Sequence, residues 1–201
     1  MRELGIDAFI TAPQKGWTGP ACAGVVMLSA RGAEATRNSK STSFTCNLRK
    51  WLEVMDSYES GGFSYYTTMP TDALTVARDA MLLTKEFGFG KAEDQAWALG
   101  KHVRTLLQEK KGLTSVAAPG FQSPGVVVVH TDDKAITNKF IQAGTQIAAG
   151  VPFMLGEPSE TKTFRIGLFG LDKLKDPAQT CANLEKALNV AMPGTAEAVA
   201  A

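Results

Sequence analysis

Histidine and cysteine are scarce in this sequence, and neither occurs in a pattern that binds metal. There are two histidines and three cysteines in 201 residues. Cys22, Cys46 and Cys181 are odd in number, far apart and in no C-x-x-C pair. That argues against a disulfide framework and for a reducing, cytoplasmic compartment. His102 and His130 are too few to build a His/Cys metal site. The first falls in a helical pattern and the second at a strand end, where structural or solvated roles are expected. An excess of charge is also missing: 21 Lys and Arg against 20 Asp and Glu leave a net charge of +1. Such a balance gives no electrostatic attraction to nucleic acid or to an anionic membrane surface. Long hydrophobic runs are absent too. The opening "MRELGIDAFITAPQKG" mixes charges with a short apolar stretch and is no signal peptide. "GVVMLS" and "PGVVVVH" have strand length and fall far short of a bilayer span.

What is present is the composition of a globular chain, 44% hydrophobic and 20% charged, long enough for one domain or a domain and a half. Residues 6–12 and 23–29 are almost continuously apolar and rich in β-formers, as strands covered on both faces are. A short helix and a loop are expected over 29–45. Asn47 then caps a helix whose apolar positions are Leu48, Trp51, Leu52 and Met55, ended by the Gly61-Gly62 pair. A second helix opens near Pro70 and Asp72, with Leu74, Ala77 and Met81 on one stripe. A third covers about 91–110. From 114 onward the order becomes strand (114–117), strand (125–130), helix (133–143), an irregular stretch, strand (163–169), and a helix over 176–189 capped by Asp176 and Pro177. This mixture points to a compact α+β domain. The residues after it have little to pack against.

Three short stretches carry candidate chemistry. In "TAPQKGWTGPACAGVVMLS", Lys15 stands at a strand end, between two prolines and among glycines that permit close approach. An isolated lysine in such a loop is commonly solvated. Held among apolar groups, however, an amine gives up its proton more readily and can attack a carbonyl. In "TFRIGLFG", Phe164, Ile166 and Leu168 alternate onto one face, with Arg165 and Gly167 on the other. A guanidinium beside a glycine suits a carboxylate, although pairing with an acid at an interface reads equally well. In "YYTTMPTD", hydroxyls precede a helix N-terminus, which favours an anion such as phosphate or simple capping. Amine, phosphate site and carboxylate fork are together what pyridoxal phosphate and an amino acid require.

"APQKGWTGPACAGVVMLS", "YYTTMPTDAL" and "TFRIGLFGLDKL" resemble, in the same order, the class V pyridoxal-phosphate aminotransferases, and most the alanine–glyoxylate and serine–glyoxylate/pyruvate branch. The likeness runs from about residue 6 to 188. It implies an α/β protein: the C-terminal part of the type I aminotransferase fold. Residues 1–90 would be the C-terminal part of the large cofactor domain with linking helices, 91–190 the small α+β domain, and 191–201 a flexible tail. It further implies that Lys15 forms the internal aldimine with pyridoxal 5'-phosphate and later acts as the base of the proton shift. Gln14 would lie beside the cofactor. Tyr65 and Thr68 would bind the phosphate of the other subunit's cofactor, making the site a shared one in a homodimer. Arg165 would hold the substrate α-carboxylate. The reaction would move an amino group between alanine or serine and glyoxylate or pyruvate.

Members of that family place an aspartate at the pyridine nitrogen and a group stacked on the ring well before the lysine. Only fourteen residues precede Lys15 here, and Asp7, in the lysine's own strand, does not correspond to that acid. The expectation is therefore a C-terminal half with exposed sheet edges and apolar faces. The alternative is a catalytically inactive fragment or a dimerisation module. Cysteine desulfuration fits less well, because Gln14 rather than a histidine precedes Lys15 and residues 121–123 contain no cysteine. Phosphoserine aminotransferases share a Gln-Lys pair, but the residues after it here fit the glyoxylate branch better.

Overall fold

The structure is a computed structural model that describes residues 1–193. Of the tail expected over 191–201, residues 194–201 lie outside them. Contacts group the chain into two units, one of residues 1–15 and 19–80, the other of residues 16–18 and 81 onward.

The first unit is built on an antiparallel pair of strands, β1 (Ala8–Thr11) and β2 (Val25–Leu28), with Phe9 facing Met27 and Ile10 facing Val26. Two helices follow, α1 (Ala30–Arg37) and α2 (Leu48–Glu59). Both starts are capped as their sequences demand: Ser29 accepts from the Gly32 amide and Asn47 from the Lys50 amide, satisfying donors that a helix leaves free. Ser29 also donates to Asp7, which holds Arg31 through Nε and Nη2. Gly32 is required there, because a Cβ would collide with the Asp7 carbonyl. The Phe44, Trp51 and Tyr66 rings form a small cluster, with centroids 4.6 Å apart for Phe44–Tyr66 and 5.2 Å for Trp51–Tyr66. The Tyr66 hydroxyl donates to the Phe44 carbonyl and the Trp51 indole to the Thr45 carbonyl.

The expectation of two strands buried on both faces is corrected. Phe9 is 44% and Ile10 72% exposed. A two-stranded ribbon has no third layer among the described residues to cover it, and apolar composition alone cannot supply one.

Helix α3 (Thr71–Phe87) begins one residue later than Pro70, whose carbonyl accepts the first helical bond from Leu74. In the second unit α4 (Phe89–Thr105) runs into a wider π turn, Leu106–Lys110, in place of the single helix expected over 91–110. The sheet there has the order β3–β5–β4, all antiparallel: β3 (Val126–His130), β5 (Thr163–Gly167) and the two-residue β4 (Ala148–Ala149). The strand expected over 114–117 is reduced to one bridge, Ser115 to Val129. Its hydrogen bonds from Val116 to Val128 and from His130 to Thr114 hold it beside β3. Pro119 and Gly120 then turn the chain away. Sequence reading missed β4, since two alanines carry no alternation.

One face of this sheet packs on helices. Val127, Val129, Phe164 and Ile166 meet Leu99, Val103 and Leu107 of α4 and its π turn, Phe140 of α5 (Ile136–Gln142), and Leu184 and Leu188 of α7 (Pro177–Ala191). The Phe140 and Phe164 rings lie 6.0 Å apart. Full burial of such side chains stabilises by about 1.5–3 kcal/mol each. α4 closes on the chain before β3 because Gly100 has no side chain; a Cβ would stand 2.9 Å from the Pro124 carbonyl oxygen. The short α6 (Leu171–Leu174) leads into α7, which Asp176 caps through the Gln179 amide at 2.9 Å. At the far end of α7 the buried Lys111 ammonium donates to the Met192 carbonyl at 2.9 Å, a partner for one of the acceptors a helix C-terminus leaves free. No helix among the described residues is long and apolar enough to cross a membrane.

Candidate functional site

Lys15 lies in the turn after β1. Its amide donates to the Ala12 carbonyl at 3.1 Å, and Gly19 donates to Pro13 at 2.8 Å, closing the loop around a buried proline. Gly19 brings the loop against α3: a Cβ would be 3.3 Å from Ala77 Cα and 3.4 Å from Pro13 Cβ. Thr18 takes φ 52°, left-handed and uncommon for a β-branched residue. Gln14 and Lys15 are both exposed. The apolar surroundings that would ease loss of the amine's proton are not provided by the described residues, and the neighbouring ribbon is itself uncovered.

Tyr65 and Thr68 come together ahead of α3, their hydroxyl oxygens 3.0 Å apart. Tyr66, next to them, faces inward on the aromatic cluster, so the YY pair is divided between packing and display. Asp72 lies in the first turn of α3, where its charge favours the helix but not an incoming anion. Asp7 is taken up by Arg31 and Ser29. The Arg31 guanidinium, with the Ser29 hydroxyl, holds its carboxyl below the usual carboxylate range.

Arg165 is the middle residue of β5, opposite Val128 and Ala148. It shares its face with Thr163 and Gly167, while Phe164 and Ile166 fill the core, as the alternation in sequence indicates. Its Nε donates to the Ala149 carbonyl at 3.1 Å. That partner was missed in the sequence for the same reason as β4. In the loop that follows β4, Glu157 accepts from the Phe153, Met154 and Leu155 amides at 2.5, 3.0 and 2.9 Å. A hollow of about 510 Å³ there, lined by Val151, Phe153, Met154 and Glu157 among others, contains none of the candidate residues. Its one carboxylate, Glu157, is already satisfied by three amides of its own turn.

No family model matches the sequence. The chain is 26% identical over 176 residues to alanine–glyoxylate aminotransferase 1 of Saccharomyces cerevisiae, a match covering 84% of this chain and 45% of that protein. Among solved structures, ureidoglycine–glyoxylate aminotransferase from Bacillus subtilis matches with a TM-score of 0.71 at 23% identity, over 93% of this chain and 48% of that one. Alanine–glyoxylate aminotransferase from Nostoc sp. matches with a TM-score of 0.68 at 19% identity, over 93% and 49%. The chain thus spans about half the length of the proteins it matches. Its fold is that of the pyridoxal-phosphate-dependent aminotransferases over about half of their length, and its sequence likeness is to the class V, alanine–glyoxylate branch.

Proposed function

We propose that this chain supplies the lysine, phosphate-binding and carboxylate-binding residues of a transaminase that moves an amino group between alanine or serine and glyoxylate or pyruvate. The observation that carries the reading is the Tyr65–Thr68 hydroxyl pair, displayed ahead of α3. The donor set fits pyridoxal 5'-phosphate shared between two subunits: an accessible primary amine of one for its aldehyde and two hydroxyls near a helix start of the other for its phosphate. When bound, that cofactor supplies the electron sink for chemistry at the substrate α-carbon.

Lys15 would hold the cofactor aldehyde through its amine. The Lys15 Nζ would also be the group that moves the proton at the substrate α-carbon. Gln14 would lie beside the cofactor. Tyr65 and Thr68 would donate to a phosphate bound by the other subunit of a homodimer, and Arg165 would orient the substrate carboxylate. In this reading residues 1–90 belong to the cofactor domain and 91–190 to the small domain, and the protein works in the cytoplasm.

Borohydride trapping tests the lysine. Purified protein is mixed with pyridoxal phosphate, reduced and mapped by mass spectrometry. An adduct concentrated at Lys15 and absent from Lys15→Ala is expected. Labelling at Lys15 no greater than at other lysines sinks the assignment.

A second reading is favoured by the exposure of Lys15 and of the β1–β2 ribbon: the 201-residue polypeptide is a catalytically inactive fragment or a dimerisation module. It expects trapping or dimerisation with almost no alanine–glyoxylate turnover. Robust turnover by the purified polypeptide eliminates it.

A further inference from the structure

We propose that Arg165 takes a ligand carboxylate end-on, through Nη1 and Nη2, and that Gly150 is the residue that positions it to do so. This rests on the carboxylate-binding reading of Arg165 given above and adds the edge of the guanidinium that is used and what holds it.

A guanidinium offers a carboxylate two bidentate edges: the side edge, Nε with one Nη, and the end edge with both Nη groups. In Arg165 the side edge is occupied, because Nε donates to the Ala149 carbonyl at 3.1 Å. Among the described residues neither Nη has a hydrogen-bond or ion-pair partner. Arg31, Arg37, Arg49 and Arg78 differ: each is paired with an acid. Beside the fork, the place of a Gly167 side chain is bordered only by the Phe169 ring at 3.7 Å or more. The end edge is therefore both unpaired and accessible on the sheet face opposite the core.

The carbonyl that fixes the fork comes from a strand of two residues, which has little to hold it in place. Ala148 pairs with Arg165 and Ala149 with Phe164. Gly150 secures that register by donating to the Thr163 carbonyl at 2.7 Å. The approach is possible only without a side chain: a Cβ on Gly150 would overlap Thr163 Oγ1 and stand 2.6 Å from the Thr163 carbonyl oxygen. Any larger residue must part β4 from β5 and draw the Ala149 carbonyl away from Nε. The guanidinium then regains its rotational freedom, and ligand binding has to freeze it. The ligand class is a small planar carboxylate, such as a 2-oxo acid.

The test uses the full chain with ¹⁵N-labelled arginine, followed by NMR during titration with pyruvate. In the unsubstituted protein the Arg165 Nε–H signal should exchange slowly before ligand is added. Pyruvate should leave it in place while the Nη signals shift. Gly150→Ala should lose that protection and bind pyruvate roughly three- to tenfold more weakly. A shift centred on Nε–H overturns end-on binding. Protection and affinity unchanged in Gly150→Ala overturn the role of Gly150. If Arg165→Ala binds pyruvate as well as the unsubstituted chain, the carboxylate reading itself falls, and this proposal with it. Should Gly150→Ala fail to fold, the unsubstituted chain decides alone: rapid exchange of Nε–H sinks the proposal, slow exchange with Nη shifts sustains it.

Discussion

The Tyr65 and Thr68 hydroxyl oxygens lie 3.0 Å apart, from residues six and three positions before Thr71, where α3 opens. Tyr65 is 78% exposed, so the pair is not held together by burial. Tyr65→Phe and Thr68→Ala should each leave thermal stability within about 0.5 kcal/mol, as surface substitutions do. Each should weaken pyridoxal-phosphate binding by about tenfold or more, since a hydrogen bond to a charged group contributes about 1.5–3 kcal/mol. Absorbance titration with the cofactor measures this. Unchanged affinity in both variants removes the phosphate assignment.

Gly19 is where the lysine loop touches α3. Gly19→Val places a branched side chain into a gap already at 3.3 Å from Ala77 Cα. Overpacking of that kind costs about 1–3 kcal/mol. Urea unfolding should show the loss, and proteolysis of the native protein should speed up within residues 13–20. A variant as stable and as protease-resistant as the original would mean that the loop does not depend on this contact.

The core of the second unit and the ribbon of the first should respond differently to the same kind of truncation. Phe164 is fully buried against Phe140, and Phe164→Ala should cost about 3–5 kcal/mol. Ile10 is 72% exposed, and Ile10→Ala should cost about 0.5 kcal/mol or less. Equal losses measured by chemical denaturation would show that β1 is covered in solution.

Acid should loosen the loop after β4. The Leu155 amide above all, with the amides of Glu157 itself, Phe153 and Met154, holds the Glu157 carboxyl below its ordinary range. A depressed folded-state pKa gives a contribution that is complete above the ordinary glutamate range and lost as pH falls from there through the lower folded-state value. Amide exchange at Phe153, Met154 and Leu155 should therefore accelerate on acidification, beyond the intrinsic pH dependence of exchange. Glu157→Gln should remove that excess. The same pH response in Glu157→Gln would assign the effect to another acid.

The helix starts were legible because capping is local. Asn47 and Asp176 declare themselves within three residues, and each accepts the amide that the capping pattern requires. The alternation of Phe164, Ile166 and Leu168 likewise fixed which way Arg165 points. Ala148 and Ala149 were illegible: their pairing is imposed by β5 and by the space at Gly150, neither of which is encoded in an Ala-Ala dipeptide. Residues 6–12 misled for a related reason. Hydrophobicity announces what a strand would bury, whereas burial depends on what lies across from it. At the site, the Tyr65–Thr68 spacing indicated that the two could meet, and they do. The solvent exposure of Lys15 depends on what lies across from its loop, and the loop's own residues do not encode that.

The Lys111 ammonium, enclosed at the end of α7 and donating to Met192, bears on how any lysine chemistry on this protein is interpreted. An amine committed in that way is shielded from aldehydes for as long as α7 stays docked. Lys111 is thus a built-in reporter: modification at Lys15 with Lys111 untouched marks reaction with the folded protein, and modification of both marks a chain that has opened first.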